Sequence, residues 1–141
     1  SLPMIHAQDT KFVSLITPQS VATNATATGT VSCQGFDYAE VFIHLATQTA
    51  SNVDVTLTLT ESDGTTYTTA TDLALTTAAP DTSNAQCYKW LLDMRGRKKN
   101  LKITYTAAGA ARVASAHAIL SRAEQAPTTA AGRGVTAQVV A

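Results

Sequence analysis

Three histidines and two cysteines are the side chains in this chain best suited to nucleophilic, acid–base or metal chemistry: His6, His44, His117, Cys33 and Cys87. A metal cage or a nucleophile–base pair asks for such residues at short, characteristic spacings. These five lie far apart, and none falls in an HExxH, HxH or CxxC pattern. GxSxG and the phosphate-cradling GxxxxGK are also absent, and Gly132-Arg133-Gly134 lacks the strand-to-helix context of a phosphate loop. Each histidine is therefore read as a strand or interface residue.

The carboxylates do not pair by sequence either. Asp63 is accounted for by a turn with Gly64, Asp54 by the wet face of a strand, and Glu61 by the end of that strand. Asp37, Glu40, Asp72, Asp81, Asp93 and Glu124 are scattered, whereas general acid–base catalysis needs groups held within reach of one bond. The expectation is a non-enzymatic chain without metal or cofactor. A small hydrolase stays open as an alternative that requires His44 or His117 to meet an Asp or Cys in a cleft.

What remains is binding. Arg95, Arg97, Lys98, Lys99 and the nearby Lys102 form the one strong local charge feature. They read either as a solvated turn or as a contact patch for an acidic protein surface, since arginine grips carboxylates with two parallel hydrogen bonds. The chain ends offer apolar residues to bury, Leu2, Met4 and Ile5 at one end and Val135, Val139 and Val140, with Arg133 nearby, at the other. Arms of this kind add buried area when they fold onto a neighbouring subunit.

The elements that position these residues follow from composition and alternation. The 141 residues include 25 Ala and 24 Thr against eight aromatics, so small and β-branched side chains dominate and a core of small side chains is expected. Ten basic and ten acidic residues give a formal net charge of zero. That balance argues against nucleic acid, which needs clustered positive charge, and leaves copies of the chain free to associate. No apolar run approaches the roughly 20 residues of a membrane helix, and the first residues lack a signal peptide's basic start and apolar core, so synthesis in a cytoplasm is expected. Cys33 and Cys87 are expected to be reduced and buried in strands, with pairing left open.

Eight strands are expected. KFVSLIT (11–17) is a first strand closed by Pro18, and ATATGTVSCQ (25–34) a second whose inner face carries Ala25, Ala27, Gly29, Val31 and Cys33. YAEVFIHLAT (38–47) reads as a central strand. At 53–60, Val53, Val55, Leu57 and Leu59 alternate with polar residues, and Asp63-Gly64 then suits a hairpin to a Thr-rich return strand, 65–73. After a loop over 74–85, QCYKWLLDM (86–94) and the alternating Leu101, Ile103 and Tyr105 form a second expected hairpin around the basic turn. Residues 111–125 suit a helix by alanine content, but the other elements need sheet partners, which favours a strand. The resulting architecture is all-β: a single-domain two-sheet sandwich of jelly-roll type over residues 11–124, with extended arms at 1–10 and 125–141.

The strings TNATATGTVSCQGFDYAEVFIHL (23–45), LTLTESDGTTYT (57–68), MRGRKKNLKITYT (94–106) and AILSRAEQAP (118–127) resemble small tailed-bacteriophage head decoration, or cement, proteins, over roughly residues 8–127. The resemblance implies a jelly-roll or related sandwich on the virion's capsid exterior. It would be made in the host bacterial cytoplasm, associate as a homotrimer and clamp the major capsid protein, with no nucleic-acid or membrane partner. A carbohydrate-binding or adhesive module of a phage tail or fibre is the alternative, favoured if Trp90, Tyr38 or Tyr67 forms an exposed aromatic platform for a host glycan.

Overall fold

A computed structural model of the chain describes residues 6–48, 56–74 and 84–140. After a 3-10 turn at His6–Asp9, the strands are β1 (Lys11–Val21), β2 (Thr26–Ser32), β3 (Phe36–Leu45), β4 (Thr56–Ser62), β5 (Gln86–Asp93), β6 (Asn100–Thr106) and β7 (Arg112–Ala123). They form two antiparallel sheets, ordered β1-β7-β3-β5 and β2-β6-β4. The expected two-sheet β-sandwich is the observed fold, with seven strands among the described residues rather than eight. None of the five pairings joins strands that are neighbours in sequence.

The core lies between the sheets. Val41, Ile43 and Leu45 of β3, Leu57 and Leu59 of β4, and Leu101, Ile103 and Tyr105 of β6 turn inward and are almost fully buried. Each large apolar side chain so buried is worth about 1.5–3 kcal/mol relative to exposure. Large aliphatic residues thus fill more of the core than the composition implied. Alanine is concentrated in one stripe, Ala114, Ala116 and Ala118 of β7, where small side chains sit at the centre of the sheet. β7 is a strand despite its alanine content, because it fills the slot between β1 and β3 and is hydrogen-bonded on both sides. Tertiary pairing overrides helix propensity there.

Three expectations are corrected. β1 runs through Pro18 to Val21, because the ladder to β7 is irregular between Ser14 and Ile16 and again between Ile16 and Gln19. A proline is tolerated at such a bulge on an edge strand, and the first irregularity lets the consecutive Leu15 and Ile16 both face the core.

The Asp63-Gly64 hairpin does not form. Gly64 does not adopt a positive φ, and Ser62 Oγ accepts its N–H at 2.9 Å. Among the described residues the return segment pairs with β4 only through the Glu61–Thr68 bridge and then enters a 3-10 turn at Thr71–Leu73. The second hairpin fails too: β5 pairs with β3 in one sheet and β6 lies in the other, between β2 and β4. The basic turn is a crossover between sheets, shaped by Gly96 at φ +80° and anchored by the fully buried Met94. Val53, Asp54, Val55 and Asp81 lie outside the described residues, as does most of the 74–85 loop.

The inner face expected of the second strand is the observed one: Val31 and Cys33 are buried, Ala25 and Ala27 pack against the core, and Gly29 faces Leu15 of β1. Cys87, in contrast, is exposed, because its position in β5 puts it on the outside of the sandwich. Both cysteines are free. Burial pushes the Cys33 thiol up to about 11, with Lys99 pulling weakly the other way. A thiol-specific reagent at neutral pH is therefore expected to modify one cysteine per folded chain and the second only after denaturation. Two fast-reacting thiols in the native protein would contradict the burial of Cys33.

Candidate interaction surface

The outer face of the β1-β7-β3-β5 sheet collects the aromatic and titratable residues that the core rejects. Strand alternation does this: in β3, Ala39, Val41, Ile43 and Leu45 point in, so Tyr38, Glu40, Phe42 and His44 point out. Across the sheet His117 of β7 is opposite Phe42 of β3, which is opposite Lys89 of β5. Phe12 of β1 leans onto the other side of His117. The imidazole is stacked between the two phenyl rings at centroid distances of 5.0 Å to Phe12 and 4.8 Å to Phe42, and Lys89 Nζ lies 4.7 Å from the Phe42 centroid. One row of stacked groups therefore crosses all four strands. Leu91, 70% exposed, and Val113, 49% exposed, extend the apolar surface on either side.

Burial in this stack lowers the pKa of His117 from its ordinary 6.5. The neutral imidazole is favoured by folding, so between the unfolded pKa and the lower native one the unfolded chain binds more protons and stability falls as pH falls. The His117 ring signals are expected to titrate below 6.5 by NMR, while the melting temperature declines as the pH is taken below that value. In Phe12→Leu, which opens one side of the stack, the midpoint is expected to rise back toward 6.5; an unchanged or lower midpoint would show that the ring stack does not shield the imidazole.

The charges on this face are internally paired. Lys89 meets Glu40 at 3.0 Å. Arg95 grips Asp93 with two bonds, Nε to Oδ1 at 3.0 Å and Nη2 to Oδ2 at 2.8 Å, and holds that carboxyl down at about 2. Arg122, at φ +54°, reaches Asp37 at 3.6 Å and donates to the Tyr38 hydroxyl at 3.1 Å. The guanidinium groups of Arg95 and Arg122 both lie over the Tyr38 ring. Tyr38 is thus occupied by its own chain. Trp90 is 6% exposed and donates its indole N–H to the Leu73 carbonyl at 3.0 Å, so it forms no exposed platform. Tyr67 lies under Lys102.

The basic turn is similarly compensated. Arg97 donates to Glu61 at 2.9 Å and also pairs with Asp72, and its side chain is only 16% exposed. Lys99 donates through Nζ to the Met94 carbonyl at 2.8 Å, and its backbone N–H is accepted by Asp63. Lys98 is exposed. The cluster thus serves largely to tie the crossover to the β4 end and the 71–73 turn.

Leu2, Met4 and Ile5 lie outside the described residues. Arg133 and Val135 belong to a turn over 129–134 and the residue after it. Val135 N–H bonds the Ala130 carbonyl at 3.0 Å. Arg133 donates through Nε to Gln8 O at 2.8 Å, and its own carbonyl accepts the Phe12 N–H at 2.7 Å. Gly134, at φ +82°, sits so close to the Phe12 carbonyl that a Cβ would lie 1.6 Å from that oxygen. These contacts fasten the first part of the C-terminal segment to the start of β1.

His44 and Cys87 are opposite one another in the β3–β5 ladder, with Ser115 on the other flank of His44. Among the described residues these side chains share no hydrogen bond. A shallow groove of about 330 Å³ beside them is lined by His44, Ala46, Thr47, Ala85, Val113, Ala114 and Ser115. No group of three or more His, Cys, Asp or Glu able to hold a metal occurs among the described residues. No helix of the described residues is long and apolar enough to cross a membrane. The outer-face row escaped the sequence reading, although its signal was present in the residues of YAEVFIHL that alternate with the apolar ones. Compared with models of known protein families and with curated proteins, the chain matches none.

Proposed function

We propose that this protein is a non-enzymatic structural component of a tailed-phage capsid, a decoration protein that binds the outside of the major capsid protein shell and stabilises it. The observation that carries the reading is the resemblance of the strings at 23–45, 57–68, 94–106 and 118–127 to such proteins. Those strings supply β2, β3, most of β4 and β6, the crossover and the end of β7. The interleaved strand order supports reading the sandwich as a jelly roll. A rigid block of this kind, present in many copies, stabilises a shell by summing modest contacts. The broad outer face of the four-stranded sheet, apolar in its centre and internally charge-paired, suits contact with a protein surface better than with a polyanion. Homotrimers seated on the capsid exterior are the expected arrangement.

Purified protein added to heads that lack it is expected to co-sediment with them and to raise the temperature at which they open. Electron microscopy of heads with and without the protein would locate the added density. Failure to bind such heads at any salt concentration would overturn the proposal.

A further inference from the structure

Each sheet of an open sandwich has two edges, and an uncovered edge is a template for another strand. Among the described residues, two of the four edges here are blocked and a third is covered at one end. β1 carries Pro18 and two register irregularities, and its Phe12 N–H is taken by Arg133. β2 is crossed by β1 so closely that a Cβ on Gly29 would lie 2.1 Å from the Leu15 carbonyl oxygen. β4 is bridged by Thr68 in both directions at 2.9 Å. The eight-residue β5 has neither bulge nor proline, and no described strand lies beyond it.

The direction of its free backbone groups follows from one bond. Met94 N–H donates to the Asp37 carbonyl at 2.7 Å, continuing the β3–β5 ladder. Even-numbered residues of β5 therefore bond to β3, and the odd-numbered Cys87, Lys89, Leu91 and Asp93 direct their N–H and C=O groups to the open side. The side chains of the same four residues lie on the outer face, with Leu91 70% exposed.

We infer that β5 pairs antiparallel with β5 of a second copy about a two-fold axis at Leu91, joining two four-stranded sheets into one of eight. Charge complementarity selects the register. With the axis at Leu91, the two leucines meet and Lys89 of each copy lies opposite Asp93 of the other. An axis at Lys89 or at Asp93 sets like charges directly opposite, and one at Trp90 or Leu92 sets a charge against Leu91, all unfavourable cross-strand pairs. A zero net charge leaves no long-range repulsion between copies. This pairing is independent of the capsid reading and is tested on the purified chain alone.

Sedimentation equilibrium of the full chain is expected to show a reversible dimer or a higher assembly containing it. Leu91→Arg should raise the dissociation constant at this contact at least tenfold, a loss of about 1.4 kcal/mol. Its circular dichroism should be unchanged, because the position is exposed. Lys89→Asp and Asp93→Lys should each dissociate by themselves, since each sets like charges opposite across the axis. Mixed in equal amounts, the two variants should form a heterodimer, because one copy then presents two acids and the other two bases. A merely structural effect of either substitution would not produce that recovery. A parent chain that stays monomeric at about 1 mM, a dimer that survives Leu91→Arg, or a mixture that does not recover would each overturn the pairing.

Discussion

Arg112→Ala is expected to cost the fold about 3–5 kcal/mol, a large part of the 5–15 kcal/mol typical of a domain. Arg112 is 1% exposed, at the start of β7 on the inward-facing side. Its Nε donates to the Ala46 carbonyl at 2.5 Å and its Nη2 to the Asn84 carbonyl at 2.7 Å. One guanidinium thus holds the chain where it leaves β3 and where it enters β5. Hydrogen bonds to charged groups contribute about 1.5–3 kcal/mol each, and truncation leaves both carbonyls unsatisfied beside a cavity.

Relief of the buried charge offsets part of that loss. Among the described residues neither Arg112 Nη1 nor the buried Tyr105 hydroxyl beside the guanidinium makes a well-formed hydrogen bond, and burial raises the Tyr105 pKa against the opposing pull of Arg112. Arg112→Met, which keeps most of the volume and removes the charge, is accordingly expected to recover about 1–2 kcal/mol of the loss. Urea unfolding of both variants checks the order. Equal stability of Arg112→Ala and the parent would show that the guanidinium carries no net structural weight.

Gly29→Ala is expected to destabilise by about 3 kcal/mol, the upper end of the cost of overpacking. The sign makes the test sharp, because alanine in place of glycine within a strand ordinarily gains about 0.5–1 kcal/mol from backbone entropy. At Gly29 the new Cβ would lie 2.1 Å from the Leu15 oxygen and 2.7 Å from its Cα, so backbone must move. Leu15 is the bulged residue where β1 turns its ladder and drops two consecutive side chains into the core. Pushing β1 away from β2 thus disturbs both sheets. A neutral or stabilising Gly29→Ala in denaturant titration would mean that this corner is looser than its geometry implies.

The parts of the fold legible in sequence are those set by local alternation. Leu57 and Leu59 in β4 and Leu101, Ile103 and Tyr105 in β6 appear as written, because a half-buried strand imposes period two on its own residues. What the sequence obscured was partnership. Asp63-Gly64 and the 95–99 turn both look like hairpin connections, yet the strands beside them take partners elsewhere. Pro18 looked like a stop because the bulge that accommodates it depends on the far end of the chain.

The candidate surface was hidden for the same reason. Arg97 finds Glu61 36 residues away, so a cluster that reads as free positive charge is neutralised by the fold. The Phe12–His117–Phe42–Lys89 row draws on four strands, none adjacent to another in the chain. No local motif marks it.

The absence of any pairing between consecutive strands also governs when this protein can acquire its shape. Among the described residues no hairpin is available as a local nucleus, so each of the five ladders must close a long loop before it gains a contact, which places folding in the millisecond-to-second range of β-sandwiches. β7 is the last of the described strands to be made, and it is the one on which β1 and β3 both pair. Until residues 112–123 have left the ribosome, β1 has no partner among the described strands, and of that sheet only the β3–β5 pair can form. The four-stranded sheet is therefore completed only once β7 is available, and where nascent copies are crowded, β7 of one chain competes with β7 of the next for the same slot.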